Sequence, residues 1–384
     1  MTRLTVLVAA LIAALLVSTS PRPTTAADRL GQAHAAGSFI PNDTGVTVRQ
    51  GDWARLQWNF FGSHGVDAPG AWGNLNEAGA PGGLGVTVAV VDTGVAYADH
   101  APFRRSPDLD SATFVPGYDF VDDDPYPFDL SGHGTHVAST IAEQTNNAFG
   151  LTGLAYGARI MPVRVLNGAG HGQAATVARG VRFAAEHGAK IINLSFNFDA
   201  GVTAQQIPKL IDAIEEARAR GSLVVAATGN AGLSRVAYPA RAEHVLSVGS
   251  TTENGCLSSF SNRGPGIDLV APGGGRDARL IHDPACRPGR PGRPVYQITT
   301  AVRRVDRFIV SGRFVGTSMA TAHVSAAAAL IVASNVLGPD ASPGAIEARL
   351  VHTARDLGAP GYDERYGWGL VDAAAATAPS PSVQ

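Results

Sequence analysis

Charge is scarce in this chain: Asp, Glu, Lys and Arg make up 16% of its 384 residues, and the formal net charge is −2. A balance that close to neutral leaves no electrostatic footprint for nucleic acid or an anionic membrane, and neither partner is expected. The local exception is the segment holding Arg287, Arg290, Arg293, Arg303, Arg304, Arg307 and Arg313. It reads as a solvated loop and hairpin, with a docking patch for an acidic surface or substrate as the alternative. Lysine occurs only as Lys190 and Lys209, and cysteine only as Cys256 and Cys286, in no CxxC spacing of the kind that binds zinc. No repeat of about 20–50 residues is visible, which excludes a solenoid. No Ser/Pro linker divides the chain, so one large domain is expected where length alone would allow two or three.

Long apolar runs are also few. Arg3 is followed by the run Leu4 to Val17, a polar Pro-containing stretch and Thr25-Ala26-Ala27. That pattern predicts a secretory signal over residues 1–27, too short to span a bilayer comfortably. Residues 28–38 read as a short pro-segment or N-terminal extension, too short to fold alone. Residues 39–378 read as the folded domain and 379–384 as a flexible tail, with no second membrane candidate from Ala373 to Gln384. The expectation is a soluble, secreted, monomeric protein with no stable membrane association. In an oxidising compartment the two cysteines suggest one disulfide around the PGRPGRP stretch; two unpaired thiols are the alternative. A closed loop of roughly 30 residues would add about 3–4 kcal/mol.

The runs Val86–Val91, Ile160–Val165, Lys190–Leu194, Leu223–Ala227, Val245–Val248 and Ile267–Val270 read as buried strands. Helical periodicity appears at Ala174–Glu186 and Thr203–Ala219, and further helices are expected over Val137–Glu143 and Ala320–Ser334. Strand, helix, strand repetition predicts an α/β fold with a doubly wound, mostly parallel sheet flanked by helices in three layers. Ligands in such folds bind beyond the carboxyl ends of the strands, and Asp92 follows the first of them.

Four separated segments carry residue types suited to acyl transfer: Asp92 in AVVDTGV, His133 in SGHGTHVAS, Asn230 in ATGNAG and Ser318 in GTSMATAHVS. A serine hydroxyl needs an imidazole to take its proton, and the imidazole needs a carboxylate to fix its tautomer. An amide side chain with a backbone N–H can hold the oxyanion that forms. Alone, Asp92 is more simply a turn residue and Ser318 a helix cap. Together, in this order, and with the closing YGWGLVDA from Tyr366 to Ala373, they resemble the subtilase family of serine peptidases over about Phe39 to Ala378.

The resemblance implies a subtilisin-like serine endopeptidase acting on protein or peptide substrates, with Asp92, His133 and Ser318 as triad and Asn230 in the oxyanion site. It places substrate-binding edges at Gly170, His171, Gly172 and at Ser195, Phe196, Asn197, with Ala227 and Gly229 on the P1 wall. Asn197 replaces a glycine usual in relatives and puts the width of that pocket in question; Ala322 replaces a usual proline. No acid marks the pocket, so an apolar P1 residue and otherwise broad specificity are expected. Similarity to the thermitase-like branch implies structural Ca²⁺ at Asp43, Asp108, Asn147 and the carbonyls of Thr145, Phe149 and Leu151. A second site is implied at Asp119, Asp122 and Asp124, for which a solvated acidic turn is the alternative. The rival from another class is a catalytically silent peptide-binding scaffold of the same fold.

Overall fold

Runs that are apolar without alternation form strands covered on both faces, as a parallel sheet between helices requires. The computed structural model describes residues 6–7, 39–110, 113–280, 283–284, 286–288, 292–301 and 304–379. Its strands are β1 Val6–Leu7, β2 Thr87–Asp92, β3 Tyr118–Asp119, β4 Arg159–Arg164, β5 Ile191–Leu194, β6 Asn197–Phe198, β7 Leu223–Ala227, β8 Val245–Thr251, β9 Leu269–Pro272, β10 Gln297–Thr300 and β11 Phe308–Ser311. Seven of them form one sheet in the order β3-β4-β2-β5-β7-β8-β9, every pair parallel. The chain leaves β2 toward β4 on one side and returns to β5 on the other. That reversal opens a crevice beyond the carboxyl end of β2, where Asp92 stands.

Side chains alternate across the sheet, and two cores result. Val88 and Val90 pack with Trp53, Trp72 and Leu330 on one face, and Ala89 and Val91 with Val177, Val181 and Leu210 on the other. The first core is organised by the Thr317–Ser334 helix, which lies against β5, β7, β8 and β9. That helix is long and apolar enough to cross a membrane, but 83% of it is buried inside the protein, so it is a core helix. The second core is closed by the Ala174–Glu186 and Pro208–Ala219 helices, giving the three layers.

The differences from expectation lie at helix ends. His133 is itself the first residue of the His133–Ala142 helix, and Ser318 is the second residue of its helix rather than a residue preceding one. The pattern read over Thr203–Ala219 breaks at Ile207, where φ is −127° and ψ 41°, and restarts at Pro208. Cys256 and Cys286 form the disulfide. The segment ahead of Ser318 is a β10–β11 hairpin. The expected export signal lies outside the described residues apart from β1, which pairs antiparallel with β6.

Candidate active site

Asp92 is fully buried, and its Oδ1 accepts the His133 Nδ1 hydrogen at 2.7 Å and the Thr93 amide at 2.7 Å. A carboxylate can only accept, so this contact puts the imidazole proton on Nδ1 and leaves Nε2 as a base. Local sequence explains the approach. A side chain on Gly134 would collide with the Gly94 carbonyl and crowd Asp92, so glycine lets the helix start press against β2. Gly132, at φ 89°, turns the chain into that helix in a region side chains disfavour. Thr93 Oγ1 accepts the Gly134 amide and donates to Asp129, whose carboxylate also collects the amides of Ser131, Gly132 and Thr135. The strap ahead of His133 is thereby fixed to the end of β2.

Ser318 is 4% exposed, and its hydroxyl donates to the Ser195 carbonyl at 2.7 Å, while Ser195 Oγ donates to the Ser318 carbonyl at 2.9 Å. Asn193 Nδ2 donates to Ser195 Oγ and Ser325 Oγ to Asn193 Oδ1, locking the helix start to the end of β5. The serine to histidine bond expected from sequence is therefore not made in this state. His133 Nε2 has no hydrogen-bond partner among the described residues. Rotation about the Ser318 Cα–Cβ bond, a fast motion for a small side chain, is what redirects the hydroxyl.

Asn230 follows β7, and its Oδ1 accepts from the Thr317 amide at 2.9 Å and from Thr317 Oγ1 at 3.0 Å. A backbone N–H can only donate, so the amide oxygen must face Thr317 and Nδ2 faces away as a free donor. The Ser318 amide belongs to the first turn of its helix, where N–H groups have no intrahelical acceptor. Asn230 is thus tied to Thr317 beside Ser318, at a helix N-terminus whose partial positive charge suits a developing anion.

Gly170, His171 and Gly172 form a turn closed by Asn167, not a regular strand: Gly170 N–H donates to the Asn167 carbonyl, and Asn167 N–H to that of His171, each at 2.8 Å. A side chain on Gly172 would strike Leu166 and the Val165 carbonyl. On the other edge, Ser195, Phe196 and Asn197 lead from β5 into β6, and β6 accepts a main-chain partner in β1, with Leu7 opposite Asn197. Asn197 Nδ2 donates to the Phe198 carbonyl, and its side chain lies beside Gly229. Ala226, Ala227 and Ala237 are buried, small and uncharged.

Two more histidines are buried, and burial drives both pKa values down. His136 falls to about 3 and His323 to about 4. His323 sits between the Met319 carbonyl and Asn59 Nδ2 as a neutral ring within the core.

The first implied metal set converges. Asp43 accepts the Asn146 and Asn147 amides, each at 3.0 Å, and Asp108 accepts Asn147 Nδ2 at 2.8 Å and the Leu151 amide at 2.9 Å. Burial raises Asp43 to about 6 and Asp108 to about 7, and neither meets an Arg, Lys or His among the described residues. Glu143, fully buried, is raised well above its ordinary value by burial and then by Asp108. The Thr145, Phe149 and Leu151 carbonyls accept no backbone hydrogen bond among the described residues. Buried carboxylates short of a counter-charge beside free carbonyl oxygens fit a hard oxygen-seeking cation. The second set does not fit one. Arg164 Nη1 lies 2.5 Å from both Asp119 and Asp122, and Arg179 takes Asp123 at 3.0 Å. Asp124 accepts the Tyr126 amide instead. Arginine supplies the charge there that calcium was expected to supply.

Residues 83–369 match the model of the Subtilase family. The chain belongs to the subtilase family. It is 38% identical over 299 residues to Subtilisin BL of Lederbergia lenta, covering 77% of this chain and 91% of that protein. Thermitase of Thermoactinomyces vulgaris is 39% identical over 235 residues, 61% of this chain and 74% of the relative. A solved protease of Pseudoalteromonas arctica superposes with a TM-score of 0.69 at 30% identity, over 88% of this chain and 99% of its own. This subtilase is accordingly a subtilisin-like serine endopeptidase.

Sequence reasoning missed Thr317, Thr93, Asp129 and Glu143. The first sits in plain view beside Ser318, but its tie to Asn230 joins residues 87 positions apart. Glu143 reads as the end of an ordinary helix until Asp108 is folded against it.

Proposed function

We propose that the chain is an exported endopeptidase in which Ser318 is the nucleophile, His133 the general base and then acid, and Asp92 the group that orients His133. The Asp92–His133 bond between fully buried side chains at the crevice carries this reading. An extended substrate adds to the β6 edge and the Gly170–Gly172 turn through main-chain hydrogen bonds, which favours broad specificity. A substrate N–H at the Ser195 carbonyl competes with the Ser318 hydroxyl for that acceptor and turns the hydroxyl toward His133 Nε2. Attack on the scissile carbonyl makes a tetrahedral oxyanion, held by Asn230 Nδ2 and the Ser318 N–H. His133 passes its proton to the leaving amine, and water activated by the same ring releases the acyl group.

The uncharged wall of Ala226, Ala227 and Ala237 supports an apolar P1 residue. Calcium, when bound, is held by Asp43, Asp108, Asn147 and the Thr145, Phe149 and Leu151 carbonyls. Its part is structural, tying the segment after Phe39 to the Thr145–Leu151 loop. Labelling with a fluorophosphonate tests the assignment: Ser318 is expected to take the label, and Ser318→Ala to lose about 10⁶ in turnover, the loss known for subtilisin. An unlabelled Ser318 in folded protein would instead favour a peptide-binding scaffold.

A further inference from the structure

Arg313 stands beside the site with no role in the chemistry described so far. It is half-buried, its Cζ lies 4.4 Å from the centre of the Phe314 ring, and that ring meets His133 edge-on at 5.5 Å. Its Nη2 donates to the Ser131 carbonyl at 2.5 Å, two residues ahead of His133. The strap from Leu130 to Gly132 is held at each residue: Leu130 lies against Gly168 on the groove turn, Ser131 holds Arg313, and Thr299 Oγ1 donates to the Gly132 carbonyl. The acyl half of a substrate lies along Gly170–Gly172 and Ser195–Asn197. With the acyl half placed there, the Phe314–His133 and Arg313–Phe314 contacts leave Arg313 on the opposite side of His133, where the leaving half would pass.

The guanidinium there makes no salt bridge among the described residues. Nearby, Arg104 and Arg304 meet Asp99 and Asp306, and the Arg104 amide bonds the Val305 carbonyl, joining two loops into one rim. Arg105, Arg307 and Arg313 pair with no carboxylate among the described residues. Asp129 acts on Arg313 through space and raises its pKa, but no ion pair joins the two among the described residues, and the Asp129 oxygens accept from Thr93, Ser131, Gly132 and Thr135. A guanidinium presents five N–H donors, of which one is used here and the flat face is stacked on Phe314. Burial lowers its pKa by more than Asp129 raises it.

We infer that Arg313 is a specificity-determining residue, recognising a carboxylate side chain on the first or second residue after the scissile bond. The enzyme then favours acidic peptides on the leaving side while its acyl side remains apolar. The inference rests on Ser318 and His133 being the reacting pair.

The test uses internally quenched peptides that differ only at those two positions, carrying Asp, Glu, Asn, Gln or Lys. Rates are normalised to Ser318 titrated with a fluorophosphonate. The acid-to-amide ratio in kcat/KM is expected to be about tenfold at low salt, the discrimination of one hydrogen bond to a charged group. It should shrink as salt rises. Arg313→Gln should bring the ratio close to one, and Arg313→Lys should keep part of it. A wild-type ratio of one or below overturns the inference. So does an equal loss on every peptide in Arg313→Gln, which would make Arg313 only a brace for Ser131. If Arg313→Gln does not fold, the wild-type ratio and its salt dependence decide. Absence of titratable Ser318 defeats the catalytic assignment itself, before any ratio is read.

Discussion

Replacing Asn230 probes whether the oxyanion is held by a donor fixed in advance. Both Thr317 donors grip Oδ1, so Nδ2 needs no reorganisation when the carbonyl oxygen becomes anionic. Asn230→Ala deletes that donor, and the loss should be about 10²–10³ in kcat, or about 2.7–4 kcal/mol, as for the corresponding donor in subtilisin. KM should move little, because the bond strengthens only at the transition state. Thr317→Val keeps the backbone hold and removes the hydroxyl, so Nδ2 is less constrained but present. Losing one neutral hydrogen bond of about 1 kcal/mol predicts about a fivefold fall. Asn230→Asp should be worse than alanine, since Thr317 would still hold one oxygen and the other would face the oxyanion. The assay is steady-state cleavage of a chromogenic peptide amide by enzyme titrated for active serine. Two results would refute the reasoning: a kcat for Asn230→Ala within about fivefold of wild type, or a Thr317→Val defect exceeding it.

Chelation should lower the unfolding temperature of the Ser318→Ala protein, and Asp108→Asn should abolish that response while Asp122→Asn leaves it intact; calorimetry with and without chelator checks this. A joint Cys256→Ser, Cys286→Ser variant should lose about 3–4 kcal/mol in denaturant unfolding, as expected for a separation of 30 residues. His136 and His323 are held below the ordinary 6.5, at about 3 and about 4. The unfolded chain therefore binds protons the native one refuses, and stability falls as pH drops from 6.5 toward those values. Each ring contributes up to about 1.4 kcal/mol per pH unit. His323→Gln should flatten the slope of unfolding temperature against pH between 6 and 4, and an unchanged slope would contradict it.

The strands were legible because a parallel sheet buried on both faces writes itself as unbroken apolar runs, and β4, β5 and β7 lie within a residue of their expected positions. Asp92 and His133 were legible for a different reason. The glycines around them serve close approach: Gly134 must clear the Gly94 carbonyl, so the pairing of Asp92 with His133 leaves a mark in the neighbouring residues as well as in the pair itself. Helix starts were read late because the first turn of a helix uses the same residues as the loop before it. His133 and Ser318 carry no apolar period to announce that they are already inside.

The acidic turn shows where one-dimensional reading ends. Asp119, Asp122, Asp123 and Asp124 are consecutive enough to suggest a shared cation, and that suggestion depends on no positive side chain reaching them. Arg164 and Arg179 stand 42 to 56 residues later than the acids they meet, yet β4 lies beside β3 and carries Arg164 directly to Asp119, while the Ala174–Glu186 helix brings Arg179 to Asp123. Asp43 and Asp108 have the opposite history. They are 65 positions apart in sequence, and folding brings both to one loop with no basic group paired to them among the described residues. Charge clustering in sequence is thus a poor guide to a cation site. What decides is whether the fold supplies a counter-ion, and here it supplies arginine to one cluster and none to the other among the described residues.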